Sequence, residues 1–397
     1  MKKLVIPLTI VLFLLLGTFL VVLYGKGYRL DFSNGRPDLS GTGLLVATSK
    51  PDGAQVFVNG HLTTATDNTI NLSPNTYDVK IVKEGYYPWE KNLMVKKEVV
   101  TKAEALLFPT APKLESLTDT GAENPVLDPT QTKIAFTAAS QSATTKRGIF
   151  VLDMSSRPIL TLQGSSSQIA DDSLNTFSKS QLAWSPDGSQ IMATISGAVS
   201  NTTYLLDASG FNQNPSDVTE TMATVNSTWQ KQELQIEKAR LDTLPDNLKK
   251  IVSDNFKILS WSPDESKILY KATDAATLPI IINPRLIGTD STPEQRTIRK
   301  DSVYVYDTKE DRNYIILDSL TSAKLPLTWL PDSKHLIFVH NQKVDIMEYD
   351  ATNQTTIYAG PFVDNFVFPW PDGSKIVILT NLGNPTIAPN LYTIELQ

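Results

Sequence analysis

Apolar and polar positions change rhythm three times along the chain. Residues 4–24 form an uncharged apolar run between Lys2-Lys3 and Lys26 with Arg29. About twenty residues rising ~1.5 Å each span a ~30 Å hydrocarbon core, so residues 1–25 are expected to form a transmembrane helix. Residues 26–42, with Gly, Ser, Asp and Pro37, are expected to be a juxtamembrane linker. From residue 43 apolar residues alternate with polar ones, the period of half-buried strands. Strands are expected over 44–48, around Val56 and Val58, over 69–72 and 77–82, and around 92–95 and 99–107. Asn59-Gly60 suits the positive backbone angles of a tight hairpin.

Beyond the stiff stretch Pro109-Thr110-Ala111-Pro112, one motif recurs. Its clearest forms are Trp184-Ser185-Pro186-Asp187-Gly188 and Trp261-Ser262-Pro263-Asp264. Trp329-Leu330-Pro331-Asp332 and Trp370-Pro371-Asp372-Gly373 follow, and Leu127-Asp128-Pro129 is a degenerate first copy. Each joins two apolar strands through a Pro-centred turn. A third strand ending in an acid follows each copy, at Asp153, Asp207, Asp307, Asp350 and Glu395, and short outer strands such as 159–162, 313–317 and 355–358 come next. Four strands in roughly forty residues is the dimension of a β-propeller blade. The expected fold is therefore all-β after the helix, with a small sandwich over 43–109 and a propeller over 113–397. Five four-stranded blades are readable, or six if one is too degenerate to see. The last blade lacks an outer strand, and residues 114–118 are spare, so 114–118 should pair with 392–396 and close the ring. Closure removes an edge that would otherwise invite aggregation.

Four stretches exceed the repeat: 138–148, 164–180, 211–255 and 273–301. They follow second or fourth strands and should crown one face, leaving the Pro-Asp turns on a plain one. The insertion at 211–255 should hold helices over 227–241 and 245–252, and the second blade's outer strand within 217–225.

Composition narrows the function classes. A net charge of -6 argues against a nucleic-acid binder, whose footprint is basic. With no Cys, disulfides and thiolate chemistry are excluded, and no lipid can be attached through a thioether. The competing reading of the N-terminus is a cleaved signal, with a shorter apolar core and a small-x-small site; Val21-Val22-Leu23-Tyr24 supply no such site.

Two resemblances follow. Pro51-Asp52-Gly53-Ala54, Val56, Val58, Asn59-Gly60, Leu72 with Pro74, Tyr77 with Val79, and Gly85-Tyr86 resemble the PEGA domain family. Asp52 stands where the family has Glu and Asn75 where a turn Gly is usual; both are good turn formers. The resemblance implies a small β-sandwich of extracytoplasmic or envelope proteins with no catalytic residues. The Trp-Ser-Pro-Asp repeats resemble the TolB-type, WD-like propeller repeat.

No nucleophile elbow, Walker loop, kinase loop or His-Glu-x-x-His motif occurs. The repeated Asp187, Asp264, Asp332 and Asp372 read as turn residues on separate blades rather than metal ligands. Asp171-Asp172 and Asp242 with Asp246 read as solvated carboxylates. His61 is remote, and His335 and His340 lie on opposite sides of one strand. Tyr86, Tyr87 and Trp89 read as cover for the sandwich end, with a binding platform as the alternative. No catalytic, cofactor-binding or metal-ligating residue is assigned. The expectation is a non-catalytic, single-pass, membrane-anchored scaffold protein, mostly extracytoplasmic, whose propeller binds an envelope protein or glycan. The alternative is a hydrolase or lyase with its site in the central channel. Against it, the innermost strands, Leu182-Ala183-Trp184, Ile258-Leu259-Ser260 and Leu327-Thr328-Trp329, are poor in acid, base or cationic groups.

Overall fold

A computed structural model describes residues 2–25, 28–31, 38–139, 147–155, 166–319, 326–363 and 366–397. Helix α1, Lys2–Gly25, contains the apolar segment Pro7–Gly25, which is long and apolar enough to cross a membrane. Its side chains stand uncovered, Phe13 at 76% and Val21 at 71% exposure. Within the stretch expected to be linker, Tyr28–Asp31 pairs antiparallel with Asp38–Gly41.

The protein divides into two units. The first contains Met1–Leu107 and Ile282–Pro293; the second contains Phe108–Ile281 and Glu294–Gln397. In the first, Gly43–Lys50 sits between Asn68–Leu72 and Val100–Leu106, the latter pairing parallel. A second sheet orders His61–Ala65, Gln55–Val58, Asn75–Val82 and Trp89–Val95. Alternate positions meet between the sheets: Leu45, Ala47, Val56, Val79, Ile81 and Ala103 are fully buried. Asn59 and Gly60 both take positive φ, 49° and 79°, as a two-residue hairpin with right-handed twist demands. Trp89 is 4% exposed and Tyr86 packs on the same core, so these rings cover the sandwich and do not form a platform.

The first unit also gains a segment from far along the chain. Lys91 Nζ pairs with Asp290 Oδ2 at 3.2 Å, with both side chains below 10% exposed. Met94 N–H donates to Ser291 Oγ at 2.9 Å. Trp89–Val95 is an edge strand, and this segment lies along it, where an open edge would offer unpaired backbone groups.

The second unit is a β-propeller with five four-stranded antiparallel sheets among the described residues. The first runs Glu123–Leu127, Lys133–Ala138, Gly148–Asp153, Ser166–Asp171. The second is Gln181–Trp184, Gln190–Ile195, Thr202–Asp207, Ser216–Asp217. The third is Phe256–Trp261, Lys267–Ala272, Val303–Asp307, Arg312–Leu317. The fourth is Leu327–Trp329, His335–His340, Lys343–Glu348, Thr355–Ala359. The fifth takes Val367–Pro369, Lys375–Thr380 and Asn390–Glu395 from the end of the chain and Leu114–Ser116 from its beginning. Leu114 stands opposite Ile394 and Ser116 opposite Tyr392, which is the expected closure. The outer strand expected at 159–162 lies outside the described residues; the first sheet's fourth strand is Ser166–Asp171, inside the stretch read as insertion.

Cores form where neighbouring sheets face each other. Ala135, Ile149 and Val151 meet Trp184, Ile191 and Leu206 between the first and second sheets. Leu269, Val303 and Val305 meet Trp329, Leu336 and Met347 between the third and fourth. The motif tryptophans are wedges in these cores: Trp184 Nε1 donates to Val126 O of the preceding sheet at 2.9 Å.

Candidate functional site

Strand direction decides what each face of the propeller carries. Turns between first and second strands, and between third and fourth, lie on one face; the other connections lie on the opposite face. On the turn face the repeated acids are consumed locally. Asp187 Oδ1 accepts from the Ser185 and Ser189 hydroxyls and from Ser189 N–H, at 2.6, 2.7 and 3.0 Å. These bonds hold its carboxyl at about 2, below the ordinary 3.8. Burial pushes Asp264 up, but bonds from Ser266, Ser262 and Lys309 overcome it and leave the carboxyl well below the carboxylate range. Asp128 accepts the Thr132 and Lys133 amides, and Asp372 accepts Ser374 N–H and Oγ. Asx turns explain the repetition: the side chain replaces a missing backbone acceptor.

A carboxylate lowered in the folded state contributes stability that is complete above its unfolded pKa and disappears as pH falls through the folded one. For Asp187 that window runs from 3.8 down to about 2. Asp187→Asn is therefore expected to lower the urea midpoint at pH 7 and leave it unchanged near pH 2. Because Asp187 is solvent-exposed, screening keeps the difference below ~1 kcal/mol.

The histidines are structural as well. His335 Nδ1 lies 2.6 Å from Asp332 Oδ2, and its ring meets Phe108 edge-on at 6.0 Å. His340 Nε2 lies 2.8 Å from Asp345 Oδ2, which also accepts Gln354 Nε2 at 2.6 Å. Burial raises the Asp345 pKa, but His340, Thr356 and Gln354 outweigh it and hold the carboxyl below its ordinary value.

The connection face differs in kind. Leu174 and Val363 stand on links between sheets, 60% and 37% exposed. Val199, Leu382 and Ile387, on links between second and third strands, are 100%, 49% and 47% exposed. On the turn face Phe211 is 50% exposed, and Ile280, next to Ile281 on the excursion that reaches Asp311, is 55% exposed. The insertion after the second sheet's short outer strand, Ser216–Asp217, forms two helices of opposite character. Helix α2, Met222–Asp242, begins before the expected 227 and buries no residue. Its Leu234 and Ile236 are 58% and 43% exposed. It is tied at its ends, by Thr203 Oγ1 donating to Met222 Sδ at 3.7 Å and by Arg240 Nε bonding Glu265 at 2.8 Å. Helix α3, Asp246–Asn255, places Leu248 and Val252 on one face, four apart, against Ile268, Tyr270 and Tyr304. This is the side of the third sheet turned away from the fourth, so α3 is core.

The acids read from the sequence as solvated carboxylates are engaged. Asp172 accepts Ser178 N–H and Oγ at 2.8 and 2.7 Å, and Asp171 accepts Ser173 N–H at 3.0 Å. Lys249 Nζ lies between Asp242 and Asp246 at 3.5 and 3.7 Å.

The fourth long stretch does not crown this face. Ala276–Thr277 pairs with Thr297–Ile298, and the excursion descends the outer edge of the third sheet, where Gln295 N–H donates to Asn313 O at 2.7 Å. At the turn face Asp311, 1% exposed, receives Tyr306 Oη at 2.5 Å, Arg296 Nη2 at 2.8 Å and Ile281 N–H at 2.7 Å. Its tip, Ile282–Pro293, belongs to the first unit. The expectation of a crowned face and a plain one is therefore corrected in two places: this insertion leaves the connection face, and α2 runs from Thr203 on that face to Glu265 in a turn of the opposite one.

Sequence reasoning missed Val199, Leu174, Leu382 and Ile387. The available signal was a large aliphatic residue stranded among loop formers, as in Gly197-Ala198-Val199-Ser200-Asn201.

Comparison with known proteins reaches the first unit directly. Residues 42–110 match the PEGA domain. The match spans both sheets of the sandwich, from Thr42 to Thr110, and includes the Asn59-Gly60 hairpin. Beyond the PEGA domain, solved structures similar to the chain include TolB from Acinetobacter baumannii, at 15% identity and TM-score 0.23, covering 81% of this chain and 60% of that one. A TolB-type protein from Agrobacterium tumefaciens matches at 14% identity and TM-score 0.22, covering 69% and 72% of the two chains. An oligogalacturonate lyase solved with manganese matches at 11% identity and TM-score 0.23, covering 81% and 74%. Similarity this distant carries no ligand or activity across. No curated protein matches in sequence.

Proposed function

We propose that this is a single-pass, membrane-anchored, extracytoplasmic binding protein without catalytic activity, and that the connection face of its propeller holds a protein partner. One observation carries the reading: large aliphatic side chains stand uncovered on that face, while the polar groups of the turn face are spent on their own turns. Exposed apolar side chains grouped on one surface mark interaction sites, and loops on a rigid scaffold are where binding residues gather. The uncovered residues are aliphatic, which suits a protein surface; glycans are held by exposed rings, and Trp89 is buried. The PEGA domain acts as the spacer between anchor and propeller.

Photo-crosslinking in intact membranes tests this. A crosslinker at Val199 or Leu382 is expected to give one discrete heavier species, and the same group at Phe211 is expected to give none. Identical products from all three positions, or none from any, would mean that the connection face has no special role.

A further inference from the structure

Several uncovered apolar residues of the first unit lie near the end where the chain leaves α1, while Leu62, 60% exposed, stands apart on the opposite edge strand. Tyr28, just beyond that helix, donates its hydroxyl to Glu98 Oε1 at 2.6 Å, and Lys97 Nζ lies 4.7 Å over its ring. The turn after Trp89–Val95 is thereby held against the chain emerging from the helix. The tip of the long excursion sits at this same turn. A Cβ on Gly288 would lie 3.1 Å from Val99 Cγ1 and 3.5 Å from Val100 O, so the backbone there is in close contact. One Cα step further, ~3.8 Å away, Ile287 is 72% exposed, and Leu286 beside it is 45% exposed. Met94 and Val100, on the strands the tip touches, are 49% and 46% exposed.

The chemistry around this patch is that of a membrane surface. Tyr24, 66% exposed in the last turn of α1, and Tyr28 are rings of the kind that settle at the headgroup level. Lys96 and Lys97 lie in the turn that Gly288 contacts, and Arg285 precedes Leu286 in the tip. Basic side chains next to aliphatic ones suit an interfacial layer, whose apolar boundary lies ~5–10 Å below the headgroups.

We propose that Leu286 and Ile287, with Met94 and Val100, insert into the interfacial layer of the membrane that α1 crosses, giving the first unit a second lipid contact besides its helix. The inference rests on α1 being an uncleaved anchor.

The absence of Cys makes the test direct, because Ile287→Cys supplies the single labelling position in the full chain. The labelled protein is reconstituted into phosphatidylcholine–phosphatidylglycerol vesicles with an environment-sensitive fluorophore at 287, and lipids spin-labelled near the glycerol are the quenchers. Val199→Cys serves as the control position. The expected result is a blue-shifted emission at 287, quenched at least twofold by the labelled lipids, with neither change at 199. Co-flotation with the vesicles but unquenched emission at 287 overturns the lipid contact and leaves the anchor standing. A blue shift without quenching means that protein covers the patch, and overturns it equally. A chain that fails to co-float overturns the anchor, and this inference with it.

Discussion

Removing residues 390–397 is expected to abolish the cooperative unfolding transition of the propeller, as read by calorimetry and near-ultraviolet circular dichroism. These residues supply the third strand of the fifth sheet, paired on one side with Lys375–Thr380 and on the other with Leu114–Ser116. Leu391, Ile394 and Leu396 are at most 1% exposed. At ~2–5 kcal/mol for each deleted core side chain, their loss reaches or exceeds the ~5–15 kcal/mol by which a typical domain is stable. Two sheet edges are also opened, which favours aggregation. Asn390 adds a polar clasp, its Oδ1 accepting Thr118 Oγ1 and Gly121 N–H, both at 2.9 Å. A truncated chain that still melts in one sharp transition at the wild-type temperature would refute closure through this strand.

Asp311→Ala is expected to lower the stability of the second unit by about 3–5 kcal/mol, the usual cost of removing one member of a buried charged pair. Without Asp311, the Arg296 guanidinium, with 14% of its side chain exposed, loses its closest acid. The Tyr306 hydroxyl loses its acceptor, in a site where burial, with the Asp311 charge added, already pushes its ionisation well above the ordinary range. The double change Asp311→Leu with Arg296→Met removes both charges and should recover most of the loss, since replacing a whole buried pair is often neutral. The denaturant midpoints of the three chains measure this. If the double variant is as damaged as the single one, the stranded charge is not the cause.

What could be read in advance follows from how local each determinant is. The Trp-Ser-Pro-Asp turns, the strand-end acids and Asn59-Gly60 act within a few residues, so their structural roles were visible in the sequence. Closure by 114–118 was readable because a strand census left one strand over at the start and one missing at the end. The pairing of Lys91 with Asp290 was not readable: 199 residues separate them, and neither sits in a motif. The descent of the excursion along the third sheet depends on Gln295 meeting Asn313, whose backbone carbonyl accepts Gln295 N–H and whose side-chain amide donates to Gln295 O, and neither residue sits in a motif. Helix α2 starts before the expected Ser227 because Met222-Ala223-Thr224-Val225 gives no strong start signal, and Thr221 makes no side-chain cap. The exposed apolar residues of the connection face were overlooked because a single aliphatic in a loop has no periodicity to announce it.

The Ile282–Pro293 tip has a consequence for the order in which the protein is made. The edge strand Trp89–Val95 leaves the ribosome early, yet the acid that neutralises Lys91 lies 199 residues further on. At about 5–20 residues per second, Lys91 waits roughly 10–40 s for Asp290. During that interval the sandwich has its hairpins but not its last strip of cover, and most of the propeller is synthesised before the strip arrives. The smaller unit, begun first, is therefore completed only after the third sheet of the larger one has started to form.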